Sequence, residues 1–495
     1  MEFDVVMFTD NKTENFPEPF RFRPFGAWRV ADELRKHGYH VMVIDFFADI
    51  VKQKKIIDVI KKYVTKNTKL VGYSSTFWNS NVFGVPKGTN NKVFETINNY
   101  IKTVSPDVKI AYGGVKSVEF ERMISCLDSN YNFDFIVHGL ADTSIVELME
   151  YVTNKKMFPL GRKVNGIRIV EHDVKASQFD FRNSIQEYKP WDLIADGETL
   201  SIETARGCIF RCAFCSYPLL GKNKNDMSYY KNVECMASEL KTNYDNYKTM
   251  NYSIVDDTFN ERTDKIINLI KARDLAKVDP TFVSYIRIDL VERYPEQMKL
   301  LKELNLKGMF FGIETFSHEA GKIIGKGLHP ERTKEILYQF KEMFPNSSFT
   351  GGFMTGLPGE TIESFMETVS WLERDDCPID TASITGLNLY DTSPDKNSLF
   401  TEQPEKYGIY KTNEHFYIND NWTYKVAHKI AKLSNEKLAK KSRKIGGWSA
   451  LGLCNLGYTF DEIITPGFMD DMNKRTEIDS RFQNYKNSYI DKLLS

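Results

Sequence analysis

Three of the seven cysteines fall within eight consecutive positions, Cys208-Ile209-Phe210-Arg211-Cys212-Ala213-Phe214-Cys215. The run follows SIETAR at 201–206, a candidate strand, so the thiols sit on a tight loop at a strand end. The other four, Cys126, Cys235, Cys377 and Cys454, are scattered singly. An odd, sparse set does not make a secreted disulfide framework, and a reducing cytoplasm with a metal or cluster site suits it better. Iron–sulfur clusters are held by Cys thiolates, normally four. Three ligands leave one iron open to chelate a small molecule through an amine and a carboxylate. A structural zinc ion is the alternative, but zinc wants four ligands in paired spacings. Here Cys235 stands alone 20 residues beyond Cys215, with no histidine nearby. Three ordinary buried thiols are the remaining option.

The chain around this loop reads as alternating strand and helix, twice. FDVVMF (3–8), YHVMVIDF (39–46), LVGYSS (70–75), VKIAYGG (108–114) and FDFIVHG (133–139) are five apolar runs with helical stretches between them. Fully apolar strands alternating with helices indicate a parallel, doubly wound (Rossmann-like) α/β domain over 1–155. The first helix places Ala27, Val30, Ala31 and Leu34 on one face and closes at Gly38. Residues 156–198 lose the rhythm and read as a linker. From 199 to 395 it returns with six strands: SIETAR, YSIVDD (252–257), FVSYIRID (282–289), GMFFGIE (308–314), FTGGFMTG (349–356) and TASITGLNLY (381–390). Six units make a partial (β/α)6 barrel, whose site lies at the C-terminal strand ends. Residues 396–495 are expected to be mostly helical.

With 495 residues and a formal net charge of −1, the chain gives no whole-molecule electrostatic case for nucleic acid or an anionic membrane. Its start, MEFDVVMFTD, lacks the basic and apolar regions of a signal peptide, and no apolar run approaches a membrane span. Cytoplasmic localisation is therefore expected.

The CxxxCxxC spacing after the first barrel strand, with an aromatic before the third cysteine, resembles the radical S-adenosylmethionine (SAM) superfamily. The resemblance covers 200–392 and implies that Cys208, Cys212 and Cys215 hold a 4Fe–4S cluster whose open iron binds the SAM amine and carboxylate. An electron from a donor such as flavodoxin or ferredoxin then breaks the sulfonium bond to give a 5′-deoxyadenosyl radical. It further implies that Phe214 packs near the adenine and that Asp257, at the end of the second strand, contacts the SAM amine. Glu314 and Thr315, at the end of the fourth, match the ribose-contacting position. A buried carboxylate after four apolar residues needs such a partner. Arg287, which with Asp289 closes the third strand, could pair with the SAM carboxylate in bidentate fashion, or form a surface salt bridge. Asp257 could equally cap a helix.

A doubly wound domain before such a barrel resembles the cobalamin-dependent branch. Ser74, at the end of LVGYSS, and Gly113 and Gly114, ending IAYGG, are the implied cobalamin contacts, and VHGLAD (137–142) echoes a last-strand turn. The branch's D-x-H-x-x-G pattern after the first strand is absent: the loop reads Asp10-Asn11-Lys12-Thr13-Glu14. Cobalamin would then be held without a histidine ligand. The implied function is cobalamin-dependent methyl transfer to an unactivated centre of a small-molecule or peptide substrate. The alternatives are cobalamin-independent oxidation, rearrangement or cyclisation, and a non-catalytic iron–sulfur sensor. Methylthiotransferases carry extra N-terminal cluster cysteines, and here that region has only Cys126. Residues 425–444 read as a basic amphipathic helix with Val426, Ile430 and Leu433 on its apolar face, either a solvated face or a dock for an anionic substrate. GGWSALGLCNLGY (446–458) reads as a second helix or a lid over the barrel opening.

Overall fold

The computed structural model describes residues 2–11, 23–77, 92–114, 117–126, 129, 131–157, 161–171, 179–215, 227–389, 398–412, 417–439 and 444–495. It folds as two compact units: Met1–Asp180 with Gln186–Ala195 and Asp479–Ser495, and Phe181–Ile185 with Asp196–Ile478.

The first unit is a seven-stranded sheet. Its strands are β1 (Val5–Asn11), β2 (Val41–Ile44), β3 (Leu70–Phe77), β4 (Lys109–Gly113), β5 (Phe135–Val137), β6 (Lys163–Val164) and β7 (Ile167–Val170). They lie in the order β2-β1-β3-β4-β5-β7-β6, all parallel except the β6–β7 pair. Both faces of β2 are buried, which is why it reads as an unbroken apolar run. The order reverses between β1 and β3, the switch point where such sheets leave a crevice at their C-terminal ends. One face carries an aromatic core in which Tyr112 stacks on Phe120 at 3.9 Å and Phe94 meets Tyr73 edge-on at 5.3 Å. Each such ring contributes about 1.5–3 kcal/mol by burial. The Tyr73 hydroxyl donates to Asn98 Oδ1 (2.7 Å), whose amide donates to the Tyr131 carbonyl (2.8 Å), so the buried polar atoms are satisfied.

Two parts of this unit depart from the sequence reading. The stretch 156–198, expected as a linker, contributes β6 and β7, and β7 pairs with β5. These strands have two and four residues around a turn at Asn165 and Gly166, too short for a clear periodicity. The end of the helix Met472–Leu494, read as part of a separate C-terminal region, also belongs here: Tyr489, Ile490 and Leu493 are buried in this core.

The second unit is a six-stranded parallel sheet in sequence order: β8 (Leu200–Ile202), β9 (Asn251–Ile254), β10 (Thr281–Ile286), β11 (Leu306–Glu314), β12 (Ser348–Thr355) and β13 (Thr381–Gly386). Every connection carries a helix, as parallel strands require. The helix Gly447–Cys454 is no lid over the cysteine end. It packs at the opposite end, where the Thr199 hydroxyl, just before β8, donates to the Leu451 carbonyl at 3.0 Å. Ser348, opening β12, donates to the Ile445 carbonyl. A Cβ on Gly308 would lie 2.9 Å from Gly447 Cα, so paired glycines let helix and strand meet backbone to backbone. Cys454 is a packing residue on this helix, its thiol pushed up to about 12 by burial.

The basic helix, Tyr424–Leu438, also differs from expectation. Its buried stripe is Ala427, Ala431 and Ser434, lying on β13, while Val426 and Leu433 are exposed. Asn435 bridges both backbone groups of Ile384 in β13 (3.1 and 2.7 Å). Small residues allow that close approach, so the side chains with the highest hydropathy do not mark the buried face.

Candidate active site

The cysteine loop leaves β8 and is pinned from several sides. Asp256, just after β9, is buried, and its Oδ1 accepts from the backbone N–H of Thr204 (2.7 Å) and of Ala205 (3.1 Å). Its Oδ2 accepts from the Thr204 hydroxyl and pairs with Lys265 at 2.9 Å. Lys265 is itself buried, and it also meets Glu261 (3.2 Å) and donates to the Thr258 carbonyl (2.8 Å). Glu261 reaches the loop directly, accepting from Ile209 N–H at 3.2 Å. Burial is the largest influence on Glu261 and lifts its carboxyl above the usual range, with Lys265 opposing. Such a network is costly unless every member has a partner, and here each one does.

Further along the loop, Gly207 adopts φ 77°, a conformation open to glycine and strained for other residues. Ala213 N–H donates to the Ile324 carbonyl (3.2 Å), and Cys215 N–H to the Cys212 carbonyl (3.0 Å). Cys208 and Cys212 are buried and Cys215 is half-buried. Cys208 Sγ lies 3.4 Å from the Thr258 hydroxyl. Burial pushes the Cys208 thiol up, with that hydroxyl opposing. Among the described residues no three His, Cys, Asp or Glu side chains converge as round a single ion. A cluster does not require that, since each thiolate takes its own iron.

The other sequence candidates surround this loop. Phe214 is half-buried with the Lys326 ammonium 5.8 Å above its ring. Asp257 is exposed beside the buried Asp256, so the two neighbouring carboxylates have separate surroundings. Glu314 ends β11 at a register shift against β12, with φ 68°. A non-glycine residue held there carries strain of the kind that gathers at functional sites. Its carboxylate meets Lys326 Nζ at 3.0 Å, and Lys326 also donates to the Gly312 carbonyl (2.5 Å). Thr315 donates to Glu360 Oε1 and accepts from Ser317 N–H at 2.8 Å. Glu360 is fully buried, which pushes its carboxyl up to about 8. Arg287 follows β10 and precedes the helix Ile288–Arg293, so Arg287 and Asp289 do not close a strand. Its Nε donates to both Asp289 oxygens (2.7 and 2.9 Å), Nη1 to Cys212 Sγ (3.2 Å) and Nη2 to the Gly325 carbonyl (3.0 Å).

Residues 202–372 match the family model of the Radical SAM superfamily. The chain carries a radical SAM domain. A domain of this superfamily works with a 4Fe–4S cluster and SAM. Across a greater length, the chain is 25% identical over 405 residues to an uncharacterized methyltransferase of Pyrococcus horikoshii, spanning 78% of this chain and 81% of that one. Its fold matches the radical SAM methyltransferase TsrM of Kitasatospora setae, solved with cobalamin and a [4Fe-4S] cluster, at TM-score 0.63 and 14% identity. That match covers 98% of this chain and 100% of TsrM. The cobalamin-dependent radical SAM enzyme OxsB matches at TM-score 0.60 and 16% identity, over 99% of this chain and 72% of OxsB. The expected fold class, a doubly wound domain followed by a six-stranded radical SAM barrel, is thus the one found.

The sequence reading missed Thr204, Asp256, Thr258, Glu261 and Lys265 as supports of the cysteine loop, and Lys326 as the partner of Glu314. Glu261 and Lys265 stand four apart on a helix start, a visible pair whose burial is not legible. Lys326 lies between Gly325 and Gly327, where the glycines were the signal.

At the first unit's C-terminal strand edge, Ser74 of β3 lies abreast of Gly113 of β4, and the Gly113 carbonyl accepts from the Ser75 hydroxyl at 2.7 Å. Gly114 follows at φ 95°. Asp10 is buried at the end of β1, where it accepts from Ala48 N–H (3.3 Å); residues 12–14 of that loop lie outside the described residues. After β5, His138 is buried, with Nδ1 2.8 Å from the Ser117 hydroxyl and Nε2 2.5 Å from Glu121. Glu121 also pairs with Arg162. Among the described residues, Ser74, Gly113 and Gly114 contribute backbone and small side chains to this edge.

Proposed function

We propose that the chain is a cobalamin-dependent radical SAM methyltransferase whose cluster is held by Cys208, Cys212 and Cys215. The observation that carries the reading is the triplet itself: buried Cys208 and Cys212 and half-buried Cys215 on a loop anchored by Asp256, Glu261 and Lys265. When bound, the cluster supplies the electron that breaks the SAM sulfonium bond, and cobalamin a transferable methyl group. The chain's own residues bind and orient. Asp257, exposed at the loop's side, accepts the SAM ammonium. Glu314, held by Lys326, presents a carboxylate oxygen to the ribose hydroxyls, and Thr315 is fixed beside it by Glu360. Phe214 offers a ring face toward the adenine. On the first unit, Ser74, Gly113 and Gly114 bring backbone close to the corrin. Among the described residues, His138 would offer the corrin no free imidazole, because both of its nitrogens are engaged. The substrate is a small molecule or peptide, and a one-electron donor such as flavodoxin or ferredoxin serves the cluster.

The test is anaerobic reconstitution of the full chain with iron and sulfide, with and without hydroxocobalamin, followed by iron analysis and ultraviolet–visible spectra after desalting. About four irons per chain and retained corrin absorption are expected, with iron lost in Cys208→Ala, Cys212→Ala and Cys215→Ala. Iron without corrin would favour cobalamin-independent radical chemistry. Full iron in any of the three variants would remove the ligand assignment.

A further inference from the structure

We propose that Arg287 is a positioning residue for the cluster, acting through the Cys212 thiolate and raising the cluster's reduction potential. The inference rests on the cluster reading above and adds a role for Arg287 other than binding the SAM carboxylate. Arg287 is only 7% exposed. Its Nη1 donates to Cys212 Sγ at 3.2 Å, a charge-assisted bond to the sulfur. The guanidinium makes further bonds within the protein. Nε faces both oxygens of Asp289, Nη2 donates to the Gly325 carbonyl, and the Phe210 ring lies 4.1 Å from Cζ. A ligand carboxylate approaching through Nε would have to displace Asp289.

The backbone is held as firmly as the head group. Arg287 N–H donates to Asn260 Oδ1 (2.8 Å) and its carbonyl accepts from Asn260 Nδ2 (2.9 Å). Asn260 is itself locked to Gln297 at 3.0 Å, and both are fully buried. An arginine fixed at both ends and on one ring face cannot follow a mobile ligand, but it can hold a thiolate in one place. The thiols are treated unequally: Cys208 faces a neutral hydroxyl, Cys212 a cation. Hydrogen bonds to cluster sulfurs and nearby charge are levers on cluster potential. A cation donating to sulfur stabilises the more negative, reduced cluster, and so raises its potential. The planar fork makes the three bonds at once, which a lysine cannot do.

The experiment compares wild type, Arg287→Gln and Arg287→Lys as full chains reconstituted anaerobically. Iron content is measured first. The reduced-cluster signal is then followed by electron paramagnetic resonance during a mediated redox titration. Arg287→Gln should retain iron and titrate at a more negative midpoint than wild type. Arg287→Lys, which keeps the charge without the fork, should fall between them. An unmoved midpoint in either iron-loaded variant overturns the proposal. Loss of iron from both variants also overturns it, because the residue is then needed for assembly of the loop. A wild-type chain that takes up no cluster is a different failure, that of the cluster reading itself.

Discussion

The barrel's strand ends and the first sheet's strand edge both bury charged and polar side chains, but they direct them differently. In the barrel, Asp256, Glu261 and Arg287 aim their hydrogen bonds at the loop that bears the thiols: at Thr204 and Ala205 N–H, at Ile209 N–H and at Cys212 Sγ. In the first unit, His138, Glu121, Ser117 and Arg162 bond one another, and Arg29 pairs with Asp142 at 3.3 Å. These side-chain bonds do not reach Ser74 or Gly114, although the Ser117 backbone N–H donates to the Gly114 carbonyl at 3.0 Å. One region spends buried charge to position reactive side chains, and the other spends it on its own helices and presents backbone. A chemically active site and a shape-recognising one would differ in this way.

The largest effect should come from breaking the barrel's network. Asp256→Ala strips three hydrogen-bond donors of their acceptor and leaves Lys265 buried with one carboxylate fewer. Removing one partner of a buried pair costs roughly 3–5 kcal/mol. Chemical denaturation should show that loss, and reconstituted iron should fall with it. His138→Gln in the first unit keeps hydrogen-bonding groups and should cost far less, with iron unchanged. Equal costs and equal iron in the two variants would erase the distinction between the regions.

Next in size is a pH effect confined to the barrel. Glu360 is pushed up to about 8 by burial, and its Oε2 has no hydrogen-bond partner among the described residues. The unfolded carboxyl titrates near 4.5, so between about 4.5 and 8 the native state holds a proton that the unfolded state has lost. Stability therefore declines as pH rises through that window, by at most ~1.4 kcal/mol per unit, and levels off above it. Glu360→Gln should flatten the decline, so its advantage over wild type grows from pH 5 to pH 9. Parallel melting curves across that range would show that the buried carboxyl does not titrate there.

Asp257→Ala and Glu314→Ala should change less. Each removes a polar partner of a ligand, worth about 1–1.5 kcal/mol, or roughly tenfold in SAM affinity. Calorimetric titration of SAM into reconstituted protein checks this, with iron content as the control. Unchanged affinity in both variants would move the SAM contacts elsewhere at the strand ends.

These contrasts also explain what could be read from sequence. The triplet was legible because a cluster needs a fixed residue type at a tight spacing, and the apolar runs because parallel strands are buried on both faces. The supporting network was not, because Asp256 and Asp257 are adjacent and chemically identical. Only the fold shows that Asp256 is buried beneath the loop while Asp257 is exposed. Strand limits near the site slipped for a related reason: YIRID continues an apolar pattern, yet the chain turns into a helix at Ile288 so that Arg287 can reach Cys212. At the first sheet's edge, Gly113 and Gly114 could be named, but glycines declare close approach without declaring to what.

The smallest expected effect lies at that edge, and it is a null one. His138 is the histidine that the fold places just after β5, the one side chain among the described residues there able to bind cobalt through nitrogen. Its imidazole is already spent: Glu121 is an acceptor only, so Nε2 carries a proton toward it at 2.5 Å, while Nδ1 faces the Ser117 hydroxyl at 2.8 Å. Becoming a ligand would mean breaking its hydrogen bond to Glu121, a carboxylate that Arg162 also holds. On the proposed reading the described residues would hold cobalamin through backbone and small side chains and would supply no imidazole to it; axial-ligand identity is a main lever on a metal cofactor. Hydroxocobalamin is added to the full chain, the excess removed and the Co(II) form examined by electron paramagnetic resonance. The spectrum should lack nitrogen superhyperfine splitting and should be the same in wild type and His138→Gln. Splitting in wild type that vanishes in His138→Gln would make His138 a ligand, and the first unit's edge would then also spend a buried side chain on chemistry.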